Sequence, residues 1–206
     1  MNFNRVYLIG RITKVEYAYY FKGEYFIRAC MLVERTSGNS DLIPVVIPMS
    51  FITEEDIGSN KKLSLCGEIR KYYGKIYVFA IKAKFISSTF EDRNEVELTA
   101  FISDISEIRV TPVSRKTIIS FSVVCHDNQK RYCRIPCIAW GEDAHYIEKH
   151  ASLNDCIFLI GRFQSRKYLK KYEETEQEKT TYEISCYRTQ LIMRYLATEH
   201  NWFNTN

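Results

Sequence analysis

The stretch Asn94-Glu95-Val96-Glu97-Leu98 decides how this chain folds, because Asn4-Arg5-Val6-Tyr7-Leu8 shows the same pattern 90 residues earlier. Three more segments recur in the same order: residues 43–46 as 135–138, 65–69 as 159–163, and 77–81 as 182–186. The offset grows from 90 to 92, 94 and 105 residues, so the order is kept while the loops lengthen. An internal repeat of this kind indicates two copies of one structural unit.

Each copy has the residue pattern of a β-protein. In the second copy, apolar residues recur at every second position from Val96 to Ile102, which is the period-2 signature of a half-buried strand. Further elements are predicted as strands at 118–125, 132–140, 156–166 and 180–193, a helix at 143–151, and a long charged hairpin arm at 167–179. The first copy is expected to repeat this order, with a shorter helical segment at 50–57 and a tight last hairpin around Gly74.

Five strands with a short helix between the third and the fourth predict a small closed barrel, the OB-fold. The expected fold class is therefore all-β, with two tandem five-stranded OB-fold barrels and one short helix per copy. The first barrel is predicted at residues 1–88, a linker at 89–93, the second barrel at 94–195 and a short tail at 196–206.

Composition excludes several other classes of protein. The chain of 206 residues is 46% hydrophobic and 26% charged, which is incompatible with wholesale disorder. Its uncharged apolar runs are far shorter than the roughly 20 residues of a membrane span. Arg5 and Arg11 interrupt the first apolar run, so no signal peptide is expected. These features predict a cytoplasmic protein without membrane association.

The seven cysteines are expected to be reduced core thiols, because their number is odd and no Cys-x-x-Cys pair occurs. The nearest approach to a zinc set is Cys125, His126, Cys133 and Cys137, whose spacing matches no common structural site. We therefore predict no metal and no cofactor. Phosphate-binding glycine loops, zinc-hydrolase motifs and nucleophile elbows are also missing, so no catalysis is predicted.

Residues 94–193 resemble the bacterial single-stranded DNA-binding protein (SSB) family. The segments that carry the resemblance are Asn94–Leu98, Thr111-Pro112, Ile138–Glu142, Ile160–Arg162, Arg166–Tyr168 and Thr180–Ile184. The first copy is more diverged and keeps Asn4–Arg11 and Arg70–Tyr72. The resemblance implies base stacking at Trp140 and Tyr168, whereas Arg134 stands where the family commonly has Trp.

Binding of single strands without sequence preference needs a positive groove and aromatic faces on which bases stack. Trp140 shares one strand face with Tyr132 and Arg134; the alternative is that Trp140 is a core residue at a barrel end. The arm interleaves basic and aromatic residues, although a solvated hairpin would do the same. The candidate nucleic-acid contacts are Trp140, Tyr168, Arg166, Lys167, Tyr132, Arg134, Arg162, Lys170, Lys171, Arg70, Lys71, Tyr72, Lys22 and Tyr20.

Charge and motif point to different barrels. Residues 1–90 carry a net charge of +5 and residues 91–206 a net charge of −1, so the first barrel is the more attractive one for phosphate. In that barrel Pro48 replaces Trp140, and stacking there is expected to be lost. About half of the aromatic residues between Tyr17 and Phe26 are expected in its core by strand alternation. Glu173, Glu174, Glu176 and Glu178 are expected at the tip of the second barrel's arm.

The resemblance also implies partners. SSB proteins work with four barrels, so a two-barrel chain implies a homodimer that binds single-stranded DNA in replication, recombination or repair. The chain ends without the family's acidic recruitment tail, so recruitment of replication or repair proteins through such a tail is not expected. RNA is an alternative ligand, because stacking is indifferent to the sugar. The alternative function is a primosome-type protein-interaction scaffold with weak or no nucleic-acid binding.

Overall fold

The computed structural model describes residues 3–53, 55–57, 59–72, 74–112, 114–127, 131–171 and 176–193, with only the backbone for 16–18, 167–171, 176–179 and 193. The first half contains the strands β1 (Asn4–Phe21), β2 (Glu24–Glu34), β3 (Ser40–Pro48), β4 (Lys62–Tyr72) and β5 (Lys75–Ile86). The second half contains β6 (Arg93–Ile105), β7 (Arg109–Val110), β8 (Thr117–His126), β9 (Tyr132–Trp140), α1 (Gly141–His150), β10 (Cys156–Lys171) and β11 (Glu176–Met193).

Strand pairing closes each half into a five-stranded barrel. In the first half β1 pairs with both β2 and β4, β2 pairs with β3, β4 pairs with β5, and the parallel contact β3–β5 completes the circle. In the second half β6, β8, β9, β11 and β10 pair in the same cyclic order, again with one parallel contact. The predicted fold class, two tandem OB-fold barrels, is confirmed.

The strand register corrects one detail of the repeat. Val45 lies opposite Val78 in the parallel pair of the first barrel, and Cys137 lies opposite Ile184 in that of the second. Val78 and Ile184 are therefore equivalent, at an offset of 106 residues rather than 105. The sequence match of these two segments is wrong by one residue. Side chains of a strand alternate between two faces, and in a short apolar run only the strand pairing shows which residues face the core.

The helix expected in the first barrel is absent from the described residues of that segment. A single 3-10 turn, Met49–Phe51, stands in its place, because so short a segment cannot offset the cost of helix nucleation. The helix of the second barrel is formed, and it buries Ala144 and Ile147 against the barrel. No described helix is long and apolar enough to cross a membrane.

The cysteines of the second barrel lie in its core. Cys125, Cys133, Cys137 and Cys186 are each at most 2% exposed, and all seven cysteines are free thiols. Burial raises the pKa of the Cys137 thiol well above its usual value. Burial therefore keeps the Cys137 thiol protonated and unreactive, whereas the hydrogen bond with Cys125 lowers the pKa of the Cys133 thiol.

The two barrels join edge to edge. β1 pairs antiparallel with β6, and Val6 lies opposite Val96, with Leu8 opposite Asn94 and Asn4 opposite Leu98. Because these residues are 90 positions apart in the repeat, the pairing is symmetric about Val6 and Val96. The barrels are thus related by a pseudo-two-fold axis within one chain.

Each barrel extends a different hairpin. In the first barrel β1 and β2 remain paired out to Phe21 and Glu24, whereas its β4–β5 hairpin turns at Gly74. In the second barrel β10 and β11 remain paired out to Lys171 and Glu176, whereas the strand after β6 is broken into the two-residue β7. The long arm therefore leaves each barrel at a different hairpin.

Candidate nucleic-acid interface

The outer face of β8 and β9 carries aromatic and polar side chains at its two ends, with Pro136 and the buried Ile138 between them. Residues Cys133, Ile135, Cys137 and Ala139 point into the core, so the alternate residues of β9 point outward. Tyr132 is 64% exposed, and its ring lies 4.2 Å from that of His126, its partner across the strands. From Tyr132 to Trp140 this face extends about 27 Å.

Trp140 stands at the end of this face, half-buried. Its Nε1 donates a hydrogen bond to Oγ of Ser185 at 3.1 Å, and Ser185 lies opposite Arg162 in the β10–β11 pair. Trp140, Arg162, Lys116 and Tyr187 line an open groove of about 560 Å³. Trp140 is therefore not a core residue, although its indole is anchored along one edge.

Arg162 is the partly buried cation of this groove. Its Nε and Nη2 donate hydrogen bonds to Oε1 of Gln164 at 3.3 and 3.2 Å. Burial lowers the pKa of Arg162, with a further contribution from the nearby Arg35, yet a guanidinium stays protonated at neutral pH. Burial also raises the pKa of Tyr187 across the groove. The groove thus combines an indole, a phenol and a fixed positive charge with the carboxylate of Asp143, which accepts hydrogen bonds from Thr189.

Arg134 lies further along the same face. Its Nη2 is 3.9 Å from Oδ2 of Asp104, and both side chains are exposed, so this ion pair is worth little. Arg166 is exposed where the arm leaves the barrel. Both cations are accessible to a ligand on the outer surface.

The arm of the second barrel is a regular antiparallel hairpin as far as the described backbone goes. The side chains of Lys167, Tyr168, Lys170 and Lys171 lie outside the described residues, as do Glu173 and Glu174 altogether. The prediction that all four glutamates lie at the tip is wrong for two of them. Glu176 and Glu178 belong to β11, opposite Lys171 and Leu169, because the strand pairing continues beyond the last apolar residues.

The three first-barrel candidates on β4 have different environments. Arg70 pairs with Glu68 and, at 3.6 Å, with Asp127 of the second barrel, and its guanidinium lies 4.8 Å from the centre of the Phe79 ring. Lys71 is exposed, and Tyr72 stacks on Tyr19 at 6.4 Å. Arg70 is therefore engaged within the protein, whereas Lys71 faces solvent.

Tyr20 and Lys22 lie at the tip of the β1–β2 hairpin, apart from Tyr72. The Tyr20 ring is 61% exposed and packs 4.8 Å from that of Tyr25. Lys22 adopts a positive φ of 49° in the turn, and its Nζ lies 5.5 Å from the centre of the Phe21 ring. These side chains belong to the inner side and the turn of the hairpin.

The prediction that half of the hairpin aromatics are core residues is wrong. Tyr19, Tyr20, Phe21, Tyr25 and Phe26 are all half-buried or exposed, and the side chain of Tyr17 lies outside the described residues. Alternation continues in β1 and β2 beyond the edge of the barrel, where neither face meets a core. Sequence reasoning therefore missed Tyr19 and Phe26, whose rings stack at 5.5 Å with an interplanar angle of 18°; the excess of aromatics within ten residues was the available signal.

The metal alternative finds no support in the described part of the chain. No group of three or more His, Cys, Asp or Glu side chains that could hold a metal is present among those residues. Cys125, Cys133 and Cys137 point into the barrel while His126 packs outside it against Tyr132. The four residues thus lie on both sides of the sheet.

Two solved structures share this architecture over nearly the whole chain. The wild-type single-stranded DNA binding protein from Thermus aquaticus superposes with a TM-score of 0.72 at 15% identity, covering 97% of both chains. A deletion mutant of the same Thermus protein gives a TM-score of 0.66 at 15% identity, covering 97% of this chain and 98% of that one. No family model and no curated protein matches the sequence. The resemblance to the SSB fold is thus confirmed, and at this identity it is a likeness of fold.

Proposed function

We propose that this protein binds single-stranded DNA with little sequence preference, by aromatic stacking and phosphate contacts. The observation that carries the proposal is the groove in which the half-buried Trp140 indole lies beside Arg162 and Lys116. A base stacks on an indole whatever its identity, and the neighbouring cations attract the phosphate of the same nucleotide. The proposal agrees with the name of the Thermus aquaticus protein that shares the fold, a single-stranded DNA binding protein.

The DNA strand leaves this groove along one of two tracks that run in the same direction, because β11 is parallel to β9 and antiparallel to β10. Along β9 it passes Arg134 and the exposed ring of Tyr132, and along β10 it passes Arg166 toward the arm. On the arm, Lys167, Tyr168, Lys170 and Lys171 are proposed to continue the contact. In the first barrel, Lys71, Tyr72, Lys22 and Tyr20 are the proposed contacts, whereas Arg70 is expected to contribute less because Glu68 and Asp127 already neutralise it.

The wider setting is part of the same proposal. The barrels are proposed as domains at 1–88 and 94–195, acting in the cytoplasm in DNA replication, recombination or repair. Two chains are proposed to form a homodimer with four barrels, which a single strand can then contact in succession. RNA is the alternative ligand, because stacking does not distinguish the sugar.

A protein-interaction scaffold is the second candidate function. It is favoured by the ion pairs that already engage Arg70 and by the net charge of −1 over residues 91–206. A nucleic-acid ligand is the better proposal, because a scaffold has no need of the groove cations beside Trp140.

The experiment is a titration with fluorescein-labelled poly-dT, followed by anisotropy at several salt concentrations. We expect the affinity to fall with salt, with a log–log slope of about −0.7 per phosphate contacted. Trp140→Ala is expected to weaken binding by about 1–3 kcal/mol, the usual cost of losing one base stack. Trp140→Phe is the matched control, because it removes the hydrogen bond to Ser185 but keeps an aromatic face.

Weak binding that ignores both salt and Trp140→Ala would favour the scaffold. Equal losses in the Ala and Phe variants would assign Trp140 a structural role, since both remove the bond to Ser185. A repetition with poly-U decides between DNA and RNA.

A further inference from the structure

The position of Trp140 has a counterpart in the first barrel that the repeat in sequence hides. In the second barrel Trp140 lies directly opposite Ile118 in the β8–β9 pair. In the first barrel the equivalent residues are Pro48 and Phe26, which lie directly opposite each other in the β2–β3 pair. In the second barrel the aromatic residue is on β9 and faces an aliphatic residue on β8. In the first barrel the aromatic residue is on β2, the equivalent of β8, and faces a proline on β3.

Both aromatic residues lie on the outer faces of their barrels. Directly opposite residues of an antiparallel pair point to the same side of the sheet. Ile27 and Ile47, which flank Phe26 and Pro48 along the chain, are fully buried in the core, so Phe26 and Pro48 point away from the core, where Phe26 is half-buried and Pro48 is covered. In the second barrel the flanking Ala139 is buried in the same way. Exchanging strands within such a pair keeps the ring on the same face and moves it by about 5 Å.

The Phe26 ring is part of a stack of three. Tyr19, opposite Phe26 in the β1–β2 pair, stacks on it at 5.5 Å, and Tyr72 at the end of β4 stacks on Tyr19 at 6.4 Å with planes 10° apart. The three rings come from three strands, β1, β2 and β4. We call Tyr19, Phe26 and Tyr72 the three-ring stack.

The surroundings of the three-ring stack suit a nucleotide. Arg28 follows Phe26 on the same outer face, whereas the exposed Lys71 lies on the other face of β4 from Tyr72. The nearest carboxylate on that face of β2, that of Glu24, accepts a hydrogen bond from Ser50. The first barrel, moreover, carries the positive net charge of this chain, so both parts of a single-strand site, rings and cations, meet here.

We propose that the three-ring stack is the base-stacking site of the first barrel, and that Phe26 takes there the place of Trp140. This inference rests on the proposed function, single-strand binding, and adds a second stacking site to it. The ligand is an unpaired nucleobase with its 3′ or 5′ phosphate. The stacking expected to be lost at Pro48 is thus supplied from the opposite strand.

The test compares Phe26→Ala with Tyr25→Ala in anisotropy titrations with poly-dT. Tyr25 is the matched control because it is exposed on the same strand but points to the other side of the hairpin. Phe26→Ala is expected to weaken binding about tenfold, the effect of one lost stack, whereas Tyr25→Ala, which removes only the ring packed beside Tyr20, is expected to weaken it by less than about threefold. Phe26→Tyr, which keeps the ring, is expected to bind like the wild type.

A direct reading comes from Phe26→Trp and Tyr25→Trp, each in a background that carries Trp140→Phe and Trp202→Phe, so that the introduced tryptophan is the only one in the chain. Quenching by poly-dT is expected for the Trp placed at position 26 and not for the Trp placed at position 25. If the Phe26→Ala chain unfolds, the two tryptophan variants still test the inference, because a tryptophan at position 26 fills the space of the phenylalanine ring.

The outcomes separate the inference from the proposed function. If Trp140→Ala weakens binding while Phe26→Ala does not, the three-ring stack is not a binding site but the chain still binds single strands. Equal losses in Phe26→Ala and Tyr25→Ala would also overturn the inference, because they would report damage to the hairpin. If the wild-type chain does not bind poly-dT at low salt, the proposed function itself fails.

Discussion

At the scale of single residues, one asparagine per barrel links the first strand to the fourth. Asn94 accepts a hydrogen bond from the Phe163 amide at 2.9 Å and donates one to the Phe163 carbonyl at 2.8 Å. Asn4 makes the same two contacts with Ile69, at 2.9 and 3.0 Å. Each asparagine thus satisfies a backbone donor and acceptor where strand pairing ends, which explains why this residue begins both copies of the repeat.

Removing this clamp is expected to destabilise the chain. Asn94→Ala leaves the Phe163 amide and carbonyl without the side chain that pairs them, which costs about 1–3 kcal/mol for partly buried groups. The free energy of unfolding, from urea denaturation, measures the loss. Asn60→Ala is the control, because Asn60 is exposed in a bend, and it is expected to change stability by less than about 0.5 kcal/mol. Equal stabilities for the two variants would contradict the role of the clamp.

At the scale of elements, a glycine marks the bulge at which each last hairpin curves around its barrel. The register of β4 with β5 shifts between Cys66 and Gly67, and that of β10 with β11 shifts between Ile160 and Gly161. A Cβ at Gly161 would stand 2.5 Å from the Ser185 carbonyl oxygen, and one at Gly67 would stand 2.4 Å from that of Phe79. Only glycine allows the partner strand to approach so closely.

Gly161→Ala is therefore expected to disturb both stability and the proposed DNA site. The added methyl forces β11 away at Ser185, which costs about 1–3 kcal/mol and moves the residue that anchors the Trp140 indole. Thermal unfolding and poly-dT affinity should both decline.

The matched control is Gly38→Ala. Gly38 has a positive φ of 81° with no atom within 4 Å of a built Cβ, so this change costs about 1–2 kcal/mol from backbone strain alone. Its poly-dT affinity should equal that of the wild type. If the Gly161→Ala chain binds poly-dT like the wild type, the bulge at Gly161 does not position the proposed DNA site.

At the scale of the whole molecule, the pseudo-two-fold pairing of β1 with β6 makes one continuous central sheet from two barrels. Its core side carries Val6 and Val96, and its outer side carries half-buried Tyr7 and Ile160. Basic residues, Lys82 and Lys84, flank the outer side on the first barrel, while Glu95 and Glu97 lie on the strand from the second barrel. A second copy whose second barrel faces this first barrel would bring lysines and glutamates together, with Glu95 already paired to Arg93 within the chain; this arrangement is the homodimer that we propose.

Sedimentation equilibrium tests that proposal. We expect a mass twice the 24.3 kDa of one chain, and we expect Ile160→Asp to halve it, because a carboxylate would be buried without a partner. Leu153→Asp, at an exposed position after α1, should leave the mass unchanged. A wild-type chain that sediments as a monomer, or an Ile160→Asp chain that stays dimeric, would contradict a dimer through this face.

Much of the architecture is legible in the order of the residues. The repeat, the period-2 pattern and the core positions Cys133 and Cys137 follow from local alternation, because a strand shows its buried face in every second residue. The sequence repeat also shows, for the same reason, that Pro48 and Trp140 occupy equivalent positions in the two barrels. The helix of the first barrel was predicted wrongly, since eight residues of helical pattern do not overcome nucleation.

Only the tertiary structure decided what lies across the strands. Phe26 stands beside Pro48, and Asp127 of the second barrel engages Arg70 of the first, through contacts that join residues far apart in the chain. The register of β5 and β11 differs by one residue from the best sequence match, and it too is set by pairing with a distant strand. Alternation along a strand is a local property and is written in the sequence, whereas the partner of each strand is set by closure of the barrel, which depends on all five strands together.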